Sequence, residues 1–227
     1  MLIGHYAPAL VLHRARPSLP LWILFVAAQA VDILWGTFVL VGVEHVRMVP
    51  GFTASNPLDL YDMPFSHSLV ATIVWSVGFA LLWRAFRSPK EWRREALIVG
   101  LAVASHFVLD LVVHVRDLPV AGTHGTKLGF GLWNHRELAL LVEAGIFIVA
   151  SLVWWQRRDN RRPRAALVLG AMTALLVASF YIPAPPTPAL MALTGLATYA
   201  GCAFAAWWAT RSLADNSGNR STAPIVR

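Results

Sequence analysis

Charge is scarce in this chain, and cysteine scarcer still. Only 14% of the 227 residues are Asp, Glu, Lys or Arg, where a soluble domain carries roughly a quarter. That shortage excludes a disordered or nucleic-acid-coating protein, either of which needs a charged, solvated chain. The lone cysteine, Cys202, lies inside an apolar run, so a disulfide framework and a cysteine-based metal site are both excluded. No internal repeat is evident, which disfavours an inverted-repeat transporter. Acids are few as well, 12 against 19 basic residues, leaving a formal charge of +7. That excess would fit a polyanion if it were spread over one face, but the basic residues stand in short clusters between long apolar runs. No nucleic-acid partner is expected.

A membrane explains the pattern better. About 20 mostly apolar residues are needed to cross a bilayer as a helix, because only an internally hydrogen-bonded backbone is tolerated in hydrocarbon. Six segments qualify: Leu21 to Val43, Ser66 to Trp83, Ala96 to Val115, Leu138 to Trp155, Ala165 to Ile182 and Ala189 to Trp208. Trp83, Trp154, Trp155, Trp207 and Trp208 mark interfacial ends. The expected fold is all-α: a polytopic helical membrane bundle of about six transmembrane helices plus a short N-terminal helix. One domain covers residues 1–211, with the metal-site part in 1–145 and added helices in 146–211, and 212–227 reads as a disordered cytoplasmic tail.

The basic residues orient the bundle. Arg84, Arg87, Lys90, Arg93 and Arg94 fill one connection, Arg157, Arg158, Arg161, Arg162 and Arg164 another, and Arg14, Arg16 and Arg211 flank the first and last spans. With six spans these fall on one side, so both termini are expected in the cytoplasm, in a bacterial inner membrane. The opposite side holds most of the acids: Glu44, Asp59, Asp62, Asp117 and Glu137. The first twenty residues do not read as a cleavable signal, since their basic residues follow the apolar stretch.

Ionisable residues inside spans are costly and are functional candidates by default. Asp32 stands near the middle of the first span, His67 at the start of the second, His106, Asp110 and His114 in the third, and Glu143 in the fourth. At about 100° per residue, His106, Asp110, His114 and Asp117 fall within an arc of roughly 80°. His-x-x-x-Asp places an imidazole and a carboxylate one turn apart, close enough to share one ion. Asp32 and His67 can reach the same depth. Such a set, without cysteine, suits zinc, manganese or iron by ligand type. The plainer reading is helix packing, equally good for Asp32 taken alone. Asp117 also reads as a helix cap; His13, His45, His124 and His135 read as interfacial residues and Glu137 as solvated. The connections 51–69 and 117–134 are long and rich in turn formers, as functional loops are, and Asp59, Asp62, Ser66, Ser68 and Asn134 are polar groups able to line an entry.

The segments GHYAPAL (4–10), AQAVDILWG (28–36), GVEHVRMVPG (42–51), NPLDLYDMPFSHSL (56–69), SHFVLDLVVHVRDLP (105–119) and GFGLWN (129–134) look like those of a family of bacterial multi-pass membrane proteins. That family resembles the membrane-bound metal-dependent hydrolases of the YdjM-like type. The match covers about the first 145 residues. The order His, Asp, His, His-x-x-x-Asp, His is also similar to that of zinc-dependent phospholipases C and P1-type nucleases. The resemblance implies that Asp32, His67, His106 and Asp110 hold one zinc ion, that His5 with Asp110 contributes to a second, and that His114 with Glu143 contributes to a third. Those enzymes have His-x-x-x-Glu at the third site, where this chain has Ala139 four residues before Glu143. Two zinc ions are therefore expected, with manganese or iron as alternatives. Asp62 stands where hydrolase members often carry a histidine, as a ligand or water-orienting base. A helix of about ten residues rising about 15 Å from Arg14 and Arg16 would carry His5 to the depth of Asp32.

The expected function is hydrolysis of a phosphoester or ester, with a lipid or lipid-linked substrate, through metal-activated water and with Asp62 or Glu143 as general base. The alternative from another class is a transporter or channel that passes protons or divalent cations along Asp32, His106, Asp110 and His114. Haem ligation by His67, His106 or His114 is disfavoured by the carboxylates beside them. A metal-free scaffold is a third alternative.

Overall fold

The computed structural model describes residues 1–86, 92–156 and 162–211. The basic connections around Arg87 and Lys90 and around Arg157, Arg158 and Arg161, and the tail from 212, lie outside the described residues. Eight α-helices are present among the described residues: α1 (Tyr6–Ala15), α2 (Leu21–Ala28), α3 (Ala30–Leu40), α4 (Leu69–Ala85), α5 (Trp92–Val113), α6 (Arg136–Trp155), α7 (Arg162–Tyr181) and α8 (Pro188–Thr210). The all-α class is as the sequence implies.

Local chemistry sets several boundaries. Pro20 precedes α2 in an extended conformation. The Ser68 hydroxyl accepts from the Ala71 N–H at 3.0 Å and so caps α4. Thr187 caps α8 in the same way, with Pro188 in the first turn where a missing N–H costs nothing. Within the bundle, α4 packs along α5, where Gly100 lets the Ser76 carbonyl approach closely, and α1 lies in contact with α6, α2 and α5.

Four helices, α5, α6, α7 and α8, are long and apolar enough to cross a membrane. The first expected span differs from its continuous form. It is broken at Gln29 into α2 and α3, which meet at 54°. The α4 helix is apolar but 17 residues long. At the break Gln29 is fully buried, and its side-chain amide donates to the Leu2 carbonyl at 2.8 Å. A polar amide inside the bundle thus ties the N-terminal segment to the bend.

The two long connections are ordered as small hairpins. β1 (His45–Met48) pairs antiparallel with β2 (Leu58–Asp62), and β3 (Leu118–Pro119) with β4 (Lys127–Leu128), followed by a short 3-10 turn at Leu132–Asn134. Both sit at the end of the bundle where α3 and α5 finish. An apolar cluster there joins Trp35, Val46, Leu58, Leu60, Met63, Val113, Leu118 and Trp133. A second and larger core, containing Leu24, Phe25, Val99, Ala102, Val103 and Phe147, fills the bundle further from the hairpins.

Candidate metal centre

The candidate site lies where these two cores meet. Helix α5 supplies His106, Asp110 and His114 at one-turn intervals, so all three face one direction, and each is at most 2% exposed. Asp32 comes from the first turn of α3, just past the bend. His67 stands ahead of α4, beside the capping Ser68, and His5 occupies the residue before α1. The residue before α1 thus joins the set, its ring nitrogen 3.0 Å from Asp110.

Six nitrogen-to-carboxylate distances define the cluster. His5 Nε2 lies 3.0 Å from Asp110 Oδ1, His106 Nε2 3.1 Å from Asp110 Oδ2, and His67 Nε2 3.3 Å from Asp32 Oδ1. His106 Nε2 is 3.5 Å from Asp32 Oδ1, His67 Nε2 3.6 Å from Asp110 Oδ2, and His114 Nε2 3.7 Å from Asp110 Oδ1. A tetrahedral zinc ion with bonds near 2.1 Å separates its ligand atoms by about 3.4 Å. The two sets compatible with a shared ion are His5, Asp32 and His106, and His67, His106 and Asp110. His106 belongs to both.

Proximity here does not mean hydrogen bonding. Among the described residues, neither ring nitrogen of His5 has a hydrogen-bond partner, nor does His106 Nε2, although all are buried. The opposite ring nitrogens explain the second case. His106 Nδ1 is 2.8 Å from the Ala28 carbonyl, which accepts and cannot donate, so the imidazole proton sits on Nδ1. The bend at Gln29 leaves that carbonyl without a helical partner. His114 Nδ1 is likewise 2.8 Å from Asp117 Oδ1. With Nδ1 engaged in this way, His106 and His114 turn Nε2 towards carboxylate oxygens. That arrangement matches the outer partners that orient metal-binding histidines. Burial, then the charge of His106, whose ring stacks 3.7 Å away, and the N-terminal ammonium, push the His5 imidazole down from its ordinary 6.5 to about 3, so it is neutral near pH 7.

Residues that the spacing did not reveal complete the shell. The Tyr199 hydroxyl of α8 donates to Asp32 Oδ2 at 3.0 Å. Helices beyond residue 145 thus contribute directly to the site. Asp117, legible as a helix cap, instead holds His114. The Met1 amino nitrogen lies 3.0 Å from Asp110 Oδ1.

The two residues expected as general bases are placed differently from each other. Glu143 is buried, and its Oε1 accepts from the backbone N–H groups of Leu2, Ile3 and Gly4 at 2.8, 2.8 and 2.9 Å. This carboxylate anchors the N-terminal segment; a Cβ on Gly4 would press on Glu143 Cγ at 2.9 Å. Its residue also lines the cavity described next. Asp62 is not brought to the cluster. The register of the first hairpin sets His45 opposite it, their side chains meet at 2.8 Å, and Thr123 donates to its other oxygen at 3.1 Å.

A cavity of about 170 Å³ reaches the cluster, with Asp32, His67, Asp110, His114 and Glu143 in its wall. Its other sides include Trp35, Trp133, Phe180 and Met191, with Ser55 and Asn56 of the first long connection and Ser179 at the end of α7. The second connection closes over His114: Trp133 lies 4.2 Å from that ring, and the N–H of Gly131 donates to the His114 carbonyl at 2.6 Å. Gly129 makes this approach possible. Its φ is +147°, and any Cβ there would overlap the Val115 carbonyl oxygen.

The chain matches no protein-family model, no curated protein and no solved structure.

Proposed function

We propose that this chain is an integral membrane protein with a divalent-metal centre that hydrolyses a phosphoester or ester, on a lipid or lipid-linked substrate. The observation that carries the reading is the convergence of four buried imidazoles on two carboxylates at ligand-to-ligand distances, with His5 and His106 Nε2 making no hydrogen bond among the described residues. Such a donor set, buried and free of cysteine, fits zinc, with manganese or iron next by ligand type. His67, His106 and Asp110 would hold one ion, and His5 and Asp32, with His106 shared, would hold a second. The resemblance to YdjM-like hydrolases and to the ligand order of zinc-dependent phospholipases C supports the same reading.

The chemistry that a bound ion supplies is acidification of water and neutralisation of charge developing on a phosphoryl or acyl oxygen. The chain's own residues do the rest. Tyr199 keeps Asp32 oriented, and Ala28 and Asp117 keep the two imidazoles of α5 in the tautomer that leaves Nε2 available. Glu143 commits Oε1 to the backbone and keeps Oε2 free of hydrogen bonds among the described residues, so Oε2 is the oxygen available to take a proton. Trp133 and Trp35 restrict water. At about 170 Å³ the cavity is smaller than a pocket for a drug-sized ligand, so it receives the reacting headgroup while an apolar body stays outside.

The apolar core beyond the cluster argues against a conducting path. Leu24, Phe25, Val99, Ala102, Val103 and Phe147 are buried apolar side chains of that core, and the buried His13 and Glu95, in the last turn of α1 and the first turn of α5, are engaged by Trp154 and by Ser18 and Trp83. In the proposed orientation the hairpins face outward from a bacterial inner membrane and the termini lie in the cytoplasm. Counting the bent pair as one span and α4 as another gives six crossings.

Elemental analysis of detergent-purified protein, beside Asp110→Ala and His106→Ala, tests the reading. Stoichiometric metal lost in both variants, with metal-dependent cleavage of a phospholipid or phosphodiester in mixed micelles, is the expected result. Wild-type protein that takes up no metal on reconstitution overturns it. Ion flux in vesicles without turnover would favour the transporter.

A further inference from the structure

One buried carboxylate outside the cluster is connected to it. Glu44, between α3 and β1, is 1% exposed. Its Oε1 accepts from the backbone N–H groups of Phe65 and Ser66 at 2.7 and 2.8 Å, and its Oε2 accepts from the Ser66 hydroxyl. The same hydroxyl oxygen lies 2.8 Å from His67 Nδ1. A serine hydroxyl has one hydrogen. Because an ionised carboxylate can only accept, Ser66 spends that hydrogen on Glu44, and the bond to His67 must run the other way, from Nδ1–H to Oγ. The proton of neutral His67 is thereby held on Nδ1, and bare Nε2 faces Asp32 and Asp110.

We propose that Glu44 and Ser66 are positioning residues that fix the tautomer and ring orientation of His67 for metal binding, through a Glu–Ser–His relay that reaches the centre from the hairpin side. The inference rests on the metal-centre reading. It goes beyond that reading because the relay makes the affinity of the site depend on the direction of one hydrogen bond 2.8 Å from the ring. His106 uses a backbone carbonyl and His114 an aspartate for the same purpose; His67 uses a hydroxyl, which can be reversed.

That reversibility supplies the test. In Glu44→Gln the carbonyl oxygen can still serve the Phe65 and Ser66 N–H groups, but the amide nitrogen now donates to Ser66 Oγ. The serine hydrogen is released towards His67 Nδ1, and the ring proton is driven onto Nε2, where it blocks the ligand position. Ser66→Ala only removes the bias, and Ser66→Thr keeps the hydroxyl. Zinc dissociation constants are measured on the full-length purified protein by competition with a chelating dye, together with the melting temperature of each chelated protein.

Outer-shell partners of metal-bound histidines are worth about 10–100-fold in affinity. Glu44→Gln is expected near the top of that range, Ser66→Ala near the bottom and Ser66→Thr close to wild type. A purely structural role gives the opposite ranking, with Ser66→Ala at least as weak as the nearly isosteric Glu44→Gln, and that ranking overturns the relay. Wild-type affinity in Glu44→Gln does the same. If Glu44→Gln does not fold, equal affinities in Ser66→Ala and Ser66→Thr overturn it. Wild-type protein that binds no zinc overturns the metal-centre reading itself, and the relay with it.

Discussion

Replacing Asp110 by Asn tests the centre with the smallest change in shape. Both oxygens of Asp110 serve the cluster, Oδ1 towards His5 and His114 and Oδ2 towards His106 and His67. The amide keeps the volume and removes the charge. A ligand that binds only the folded state stabilises it by RT ln(1 + [L]/Kd), about 2.7 kcal/mol at 100 times Kd. For a chain of this length each kcal/mol moves the melting temperature by about 2–4 °C, so zinc should raise the wild-type value by roughly 5–11 °C. Losing a carboxylate ligand should cost at least the ~100-fold that the strongest outer-shell substitutions cost. The same zinc concentration then equals the variant's Kd and adds about 0.4 kcal/mol, or roughly 1–2 °C. The assay is thermal unfolding in detergent, with chelator and with zinc. Asp62→Asn, held in the hairpin, serves as control and should respond like wild type. An equal zinc-induced rise in Asp110→Asn would refute the assignment.

Three further outcomes are expected. Gly129→Ala cannot keep its backbone path beside the Val115 carbonyl; it should lose about 1–3 kcal/mol of stability, and Trp133 should become more accessible to a collisional quencher. Unchanged fluorescence and melting would contradict the cover over His114. Glu143→Gln can still accept from the backbone of residues 2 to 4, so it should leave metal content and melting temperature near wild type while lowering turnover; unchanged turnover would remove Glu143 from the chemistry. Tyr199→Phe deletes a hydrogen bond to a charged group, worth about 1.5–3 kcal/mol, and should weaken zinc binding by less than Asp110→Asn does, as read by dye competition.

The cluster on α5 was legible because helical periodicity is a strong constraint: His106, Asp110 and His114 can only share a face. His5 was brought forward by resemblance, and the rise of a short helix accounts for its reach. The remainder depended on contacts that no spacing encodes. Tyr199 sits among Leu196, Ala197, Thr198 and Ala200, where an aromatic reads as core or interface, although a buried phenol hydroxyl needs a partner. Gln29 was a polar residue in an apolar run, yet a neutral amide is not marked as ionisable groups are, and the bend it occupies was missed. Glu44 counted among the acids of one side because membrane charge rules address orientation and not burial. Asp62 was brought forward by resemblance, and its cross-strand neighbour His45 was hidden because four residues of β1 show no clear alternation. The long connections were read as loops, since hairpins of two to five residues give little periodic signal.

The bond between Tyr199 and Asp32 spans 167 positions of the chain. A ribosome adding 5–20 residues per second takes about 8–33 s to cover that stretch. Throughout that interval Asp32 is already synthesised while the hydroxyl that steadies it is not. The nascent bundle must therefore shelter an acidic residue with an incomplete set of neighbours until α8 arrives. Docking of α8 against α2 and α3 is therefore the step that completes the hydrogen bonding of Asp32.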